Sequence, residues 1–199
     1  MKRASLLLTA AFAICGIWAT TAGAADLGRT VLVGGNPAHR VEYQAWIDAA
    51  APLAKQVNTE VKLRESNCPG SGSSLAACVI SSTHVEDPLL FYIPSKLRNK
   101  KYYVPEDLKN TVLHELGHVY DFLYTADRHR QAWMDVFGIA GRFYSDKSTR
   151  PPYERFAVAY SYCAEGLTAQ QARKRKKYDY YRHRFTAFQY AASCAILHP

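Results

Sequence analysis

Along residues 39–57, "HRVEYQAWIDAAAPLAKQV", apolar positions recur at 45, 46, 49, 53 and 57, the period of a helix. Pro52 interrupts this pattern and predicts a kink or a break into two pieces. The preceding "TVLVGGNP" (30–37) reads as a short strand ending in a turn. Residues 59–65, "TEVKLRE", alternate as a half-buried strand does. "ACVISST" (77–83) and "PLLFYIP" (88–94) predict two more strands. After Pro105 the pattern is helical almost to the end of the chain. Strands therefore come first and helices second, an α+β order: a small sheet of three to four strands followed by four to five helices. No internal repeat interrupts it.

The first residues follow a different logic. Lys2 and Arg3 precede the apolar run "ASLLLTAAFAICGIW", and Ala22-Gly23-Ala24 offers a small-x-small cleavage site. This predicts a signal peptide over 1–24 and one mature domain over 25–199, secreted or periplasmic. A membrane anchor is the alternative; the small residues at the end of the run favour cleavage. Ile14 before Cys15 argues against a lipid anchor. Four cysteines then remain, and an even count in an oxidising compartment implies two disulfides. Of three connectivities, Cys68–Cys78 and Cys163–Cys194 is the favoured one. The spacing lacks the close pairs of a four-cysteine zinc site.

Composition adds little beyond this. With 48% apolar and 21% charged residues the chain is globular, not disordered. Its net charge of +8 falls by two, to +6, when Lys2 and Arg3 leave. Much of the surplus lies in "RKRKKYDYYRHR" (173–184). Such a run either forms a solvated helix face or meets an anionic surface. No nucleic-acid motif accompanies it, so no nucleic acid is expected as a partner. A monomer is expected.

The chemistry concentrates in "TVLHELGHVYD" (111–121). A helix opened by Pro105, with Glu106 and Asp107 complementing its dipole, can run to about Tyr124. His114 and His118 then lie one turn apart on one face and can bind one tetrahedral metal ion. Glu115, one step round, can reach a metal-bound water without being a ligand. Shuffling this composition produces H-E-x-x-H in about one chain in a hundred, so the match alone is modest. Its setting sharpens it: between 108 and 120 the only other charge is Lys109. A buried His-Glu-His triplet without a metal leaves costly polar groups unpaired. The competing reading is an ordinary buried helix with two satisfied histidines. Gly117 costs about 1 kcal/mol relative to alanine within a helix. Close approach of another chain segment or of a substrate is a reason to accept that cost.

Catalytic zinc wants three protein ligands. An elongated H-E-x-x-H-x-x-G-x-x-H motif is excluded, because Asp121 and Tyr124 stand at its last two fixed positions. Asp127 and His129 in "YTADRHR" are available downstream. So is Glu154 in "RPPYERFAVAYSYCAEG", where the prolines can open a helix and Ala157 is small enough to let it pack closely. Glu165 competes, although it sits beside Gly166 at a helix end. Glu154 also suits a first-turn acid favouring the helix dipole.

"HELGHVYD" followed by "ERFAVAY" resembles the zinc-binding helix pair of the gluzincins, and most closely the anthrax-lethal-factor-type peptidase domain. The resemblance covers about residues 105–165. It implies a zincin-like fold in which His114, His118 and Glu154 bind Zn2+, Glu115 is the catalytic base, and Asp121 orients a ligand imidazole. Two positions depart from the family pattern. Val158 replaces a second glutamate. Lys147 stands where the family has a tyrosine that stabilises the tetrahedral intermediate. Tyr144, Tyr153 or His183 are the candidates for that role.

The function implied is a secreted zinc-dependent endopeptidase acting on proteins or peptides. One of the strands 77–83 and 88–94 would lie along its cleft. The alternatives are a secreted, non-catalytic zinc-binding or partner-binding protein, and a metal-dependent hydrolase of another bond. Glu115 discriminates, since a structural metal site has no need of a base beside its ligands.

Overall fold

The computed structural model describes residues 29–50, 57–69, 77–80, 88–92, 105–144, 151–175 and 185–197. The expected signal peptide, the break at Pro52, Lys147, His183 and most of the basic run 173–184 lie outside them. Strands β1 (Val31–Gly34), β2 (Glu60–Glu65), β3 (Ala77–Ile80) and β4 (Leu89–Tyr92) form one mixed sheet in the order β1-β2-β4-β3. The pairs β1–β2 and β2–β4 are parallel, and β3 runs antiparallel to β4 at the sheet's end. Helix α1 (Pro37–Asp48) makes the crossover between β1 and β2. Helices α2 (Pro105–Tyr124), α3 (Asp127–Val136), α4 (Pro152–Ala164), α5 (Ala169–Arg175) and α6 (Ala187–Leu197) follow the sheet. The α+β order expected from the sequence is therefore observed, with α1 embedded among the strands.

Local chemistry explains where the elements begin and end. Asn36 caps α1, its side chain accepting from the Ala38 N–H at 2.9 Å, and Pro37 occupies the first turn. The helix stops at Asp48, well short of the predicted span. A proline ring clashes with the carbonyl four residues earlier, and for Pro52 that carbonyl belongs to Asp48. Thr168 and Thr186 open α5 and α6 with reciprocal hydrogen bonds to Gln171 and Gln189. Each is a T-x-x-Q capping box.

One hydrophobic core joins the sheet to the helices. Leu32, Val61, Leu63, Leu90 and Tyr92 supply its sheet side, and Leu113, Leu116, Val119, Phe156 and Tyr160 its helical side. Helices α2 and α4 pack in close contact. A Cβ on Gly117 would stand 3.0 Å from the Ala157 Cα and 3.1 Å from Tyr160. That is the close approach that justifies a glycine within the helix. Gly117→Ala is expected to destabilise the fold by about 1–3 kcal/mol despite alanine's better helix propensity, because the obstacle is backbone. Denaturant unfolding checks this; an unchanged or stabilised variant would show that the helices can part freely.

Disulfides join Cys68 to Cys78 and Cys163 to Cys194, the favoured pairing. The first anchors β3 and the second ties α4 to α6. Disulfides fit an oxidising compartment. No helix among the described residues is long and apolar enough to cross a membrane.

Candidate metal centre

Helix α2 carries a continuous apolar face of Val112, Leu113, Leu116, Val119 and Tyr120, all buried. That face fixes its rotation against the sheet and α4. His114 and His118 consequently share one edge, with ring centroids 4.9 Å apart. Helix α4 lays Glu154 across them. Oε2 of Glu154 lies 3.1 Å from Nε2 of His114 and 3.7 Å from Nε2 of His118. The three donor atoms all fall within 4.8 Å of one another.

This donor set fits a small divalent cation. Zinc–nitrogen and zinc–oxygen bonds of ~2.0–2.2 Å at tetrahedral angles separate neighbouring ligands by roughly 3.3–3.5 Å. The observed separations of 3.1 and 3.7 Å fall on either side of that range. Two imidazoles and a carboxylate can thus hold a metal ion here. Burial alone pushes the Glu154 carboxyl up. The hydrogen bonds and charges of His114 and His118 outweigh it and hold the group well below the usual carboxylate range.

Glu115 is buried and stands apart from the ligand set. Its carboxylate accepts a hydrogen bond from the backbone N–H of Val79 on β3. Burial pushes its pKa up, against the pull of His114 and His118. The strand beside this helix is therefore β3, the end strand of the sheet.

The other predicted ligands lie elsewhere. Asp127 is almost fully exposed and pairs with Arg130 Nη1 at 2.8 Å. His129 does not join the cluster. Glu165 accepts from Asn110 Nδ2 at 3.0 Å, eleven residues or ~16 Å along α4 from Glu154. Asn110 also donates to Ser161 Oγ at 3.0 Å, which ties α2 to α4 one turn before His114. Val158, at the family's second glutamate position, is buried in the core.

Asp121 is only 1% exposed. Its Oδ1 accepts from Arg130 Nε at 2.7 Å, and its Oδ2 accepts from the Tyr144 hydroxyl at 2.6 Å. Burial pushes its carboxyl up, opposed by these hydrogen bonds and by the charges of Arg130 and His118. Tyr144, 45% exposed, thus spends its proton on Asp121. Burial and the Asp121 carboxylate raise its pKa far above the ordinary phenol value. Tyr153 lies next to the ligand set, its ring centroid 6.0 Å from that of His118. Arg130 is the residue that sequence reasoning missed. A signal existed: Asp121 ends a helical stretch whose one cation, Lys109, lies twelve residues back, so a buried charge there asks for a cation from another element.

Comparison of the chain with protein-family models, with curated proteins and with solved structures yields no match. The functional reading accordingly rests on the site's own geometry and on the motif resemblance.

Proposed function

We propose that this protein is a secreted zinc-dependent peptidase of gluzincin type. The observation that carries the reading is a buried glutamate, Glu115, beside a His-His-Glu donor set and outside it. A structural metal site gives no reason to bury a further carboxylate there, because desolvation opposes its charge.

His114, His118 and Glu154 would hold the ion. Bound there, zinc supplies a Lewis acid and lowers the pKa of water. Glu115 takes the proton of the attacking water and passes it to the leaving amine. Its raised pKa suits it to proton transfer nearer neutral pH. Tyr153, whose ring borders His118, is the tyrosine next to the ligand set and would donate to the oxyanion, while Tyr144 donates to Asp121. An extended substrate would pair with β3 by strand addition, which brings its backbone past Val79 and Glu115.

The test is incubation of zinc-loaded residues 25–199 with a mixed peptide library, read by mass spectrometry beside chelator-stripped protein. Cuts that appear only with zinc are expected. One zinc bound per chain without any cut would favour the binding-protein reading. No zinc bound would sink the site.

A further inference from the structure

We propose that Arg130 and Tyr144 are positioning residues for the metal centre: they clamp the Asp121 carboxylate one turn beyond His118, and through it hold His118. This inference rests on the metal-site reading above. Asp121 follows His118 by three residues on α2, so both project from one side of the helix. A carboxylate this deeply buried needs its charge matched and both its oxygens satisfied. Arg130 supplies the charge and more. Its Nε donates to Oδ1 at 2.7 Å and its Nη2 donates to the backbone oxygen of Asp121 at 2.6 Å. A guanidinium fork can grip side chain and backbone of one residue together; a lysine ammonium cannot reproduce that geometry.

Tyr144 closes the clamp from the turn after α3. Its hydroxyl takes Oδ2, and its ring stacks on Phe122 with centroids 5.8 Å apart. The Arg130 guanidinium lies over the same ring, 5.3 Å from its centroid. Two routes then lead to the ligand. One is the helix itself: Asp121 stands one turn beyond His118 on the same side of α2, and Arg130 fixes both its carboxylate and its backbone oxygen. The other is packing: Tyr144 and Tyr153 rings are 6.2 Å apart, and Tyr153 borders His118. Loss of groups that hold a metal ligand in place from outside the donor set typically costs ~10–100-fold in metal affinity.

The test compares wild type with Arg130→Lys, Tyr144→Phe and Asp121→Asn. Zinc affinity is measured by chelator competition, ligand-field absorption on the cobalt(II)-loaded protein, and kcat and KM on a peptide cleaved by wild type. Arg130→Lys and Tyr144→Phe are each expected to weaken zinc binding about tenfold or more. Both should shift the cobalt bands toward those of Asp121→Asn, and lower kcat with little change in KM. Tyr144→Phe keeps the stacked ring, so it remains a folded test if Arg130→Lys does not fold. Wild-type bands and affinity in Tyr144→Phe, or in a folded Arg130→Lys, would overturn the role of that residue. Unchanged bands in Asp121→Asn would overturn the clamp altogether. If wild type binds neither zinc nor cobalt, the metal reading itself has failed, an outcome that is separately recognisable.

Discussion

Glu154→Ala is expected to strip the chain of zinc. The substitution removes the one donor that comes from a different helix and leaves two imidazoles on α2. The loss in affinity should exceed the ~10–100-fold of a change in a group that merely supports a ligand. Metal analysis after dialysis, and chelator competition, read it directly. Retention of zinc at wild-type affinity would mean that the third ligand lies elsewhere. Zinc binds only the folded chain appreciably, so the variant should also lose the melting-temperature increase that added zinc gives wild type. In the metal-free protein the effect depends on pH, and its sign follows from the depressed pKa of Glu154. A carboxyl whose pKa is lowered on folding contributes stability above its ordinary value near 4.5 and loses it as pH falls through the folded value. The stability gap between metal-free wild type and Glu154→Gln should therefore open as the pH rises to about 5, where the carboxylate is ionised opposite charged imidazoles, and close in acid. Urea unfolding at several pH values checks this.

How much of this arrangement was legible in the sequence depends on the range of the interaction. His114 and His118 are placed by helical period alone, so spacing within one element brings them together. Glu154 required a longer step. Prolines opening α4 and the small Ala157 marked a helix able to lie close, but Asp127, His129 and Glu165 stayed open as competitors. The resemblance to the gluzincin helix pair singled out Glu154, and only the structure shows that Gly117 receives Ala157. Tyr144 shows where such reasoning stops. Its candidacy followed from its nearness in sequence to Lys147, where the resembled family has its tyrosine, whereas its hydroxyl is engaged by Asp121, a partner 23 residues away. Arg130 shows the same limit: Asp121 signals the need for a cation, but nothing in the local pattern of α3 says which of its residues meets it. The order of the sheet was equally out of reach. Alternation identifies a strand and the face it buries, but does not reveal that β4 lies between β2 and β3. That order puts Val79 rather than a residue of β4 against Glu115.

Glu115→Gln is the substitution expected to separate catalysis from everything else the site does. Glutamine has nearly the same shape and can still accept the hydrogen bond from the Val79 N–H, so the helix, the sheet edge and the ligand set are left in place. Zinc content should stay at the wild-type level. What disappears is the ability to take and return a proton, and kcat should fall by about 10²–10⁴. In the metal-free protein stability should move the other way. The Glu115 pKa is raised by burial, so its charged form is disfavoured in the folded chain. A group with a raised folded pKa contributes its stability below its ordinary value and loses it as pH rises through the folded value. Wild type therefore carries a destabilising charge at alkaline pH that the glutamine variant lacks. The variant should be the more stable protein there, and its advantage should shrink as the pH is lowered toward 4.5, the ordinary glutamate value. A variant that loses activity, keeps its zinc and gains stability at high pH is the pattern of a base held in an unfavourable place for its reactivity. A variant that loses zinc along with activity would instead make Glu115 part of the ligand structure, and the peptidase reading would lose its main support.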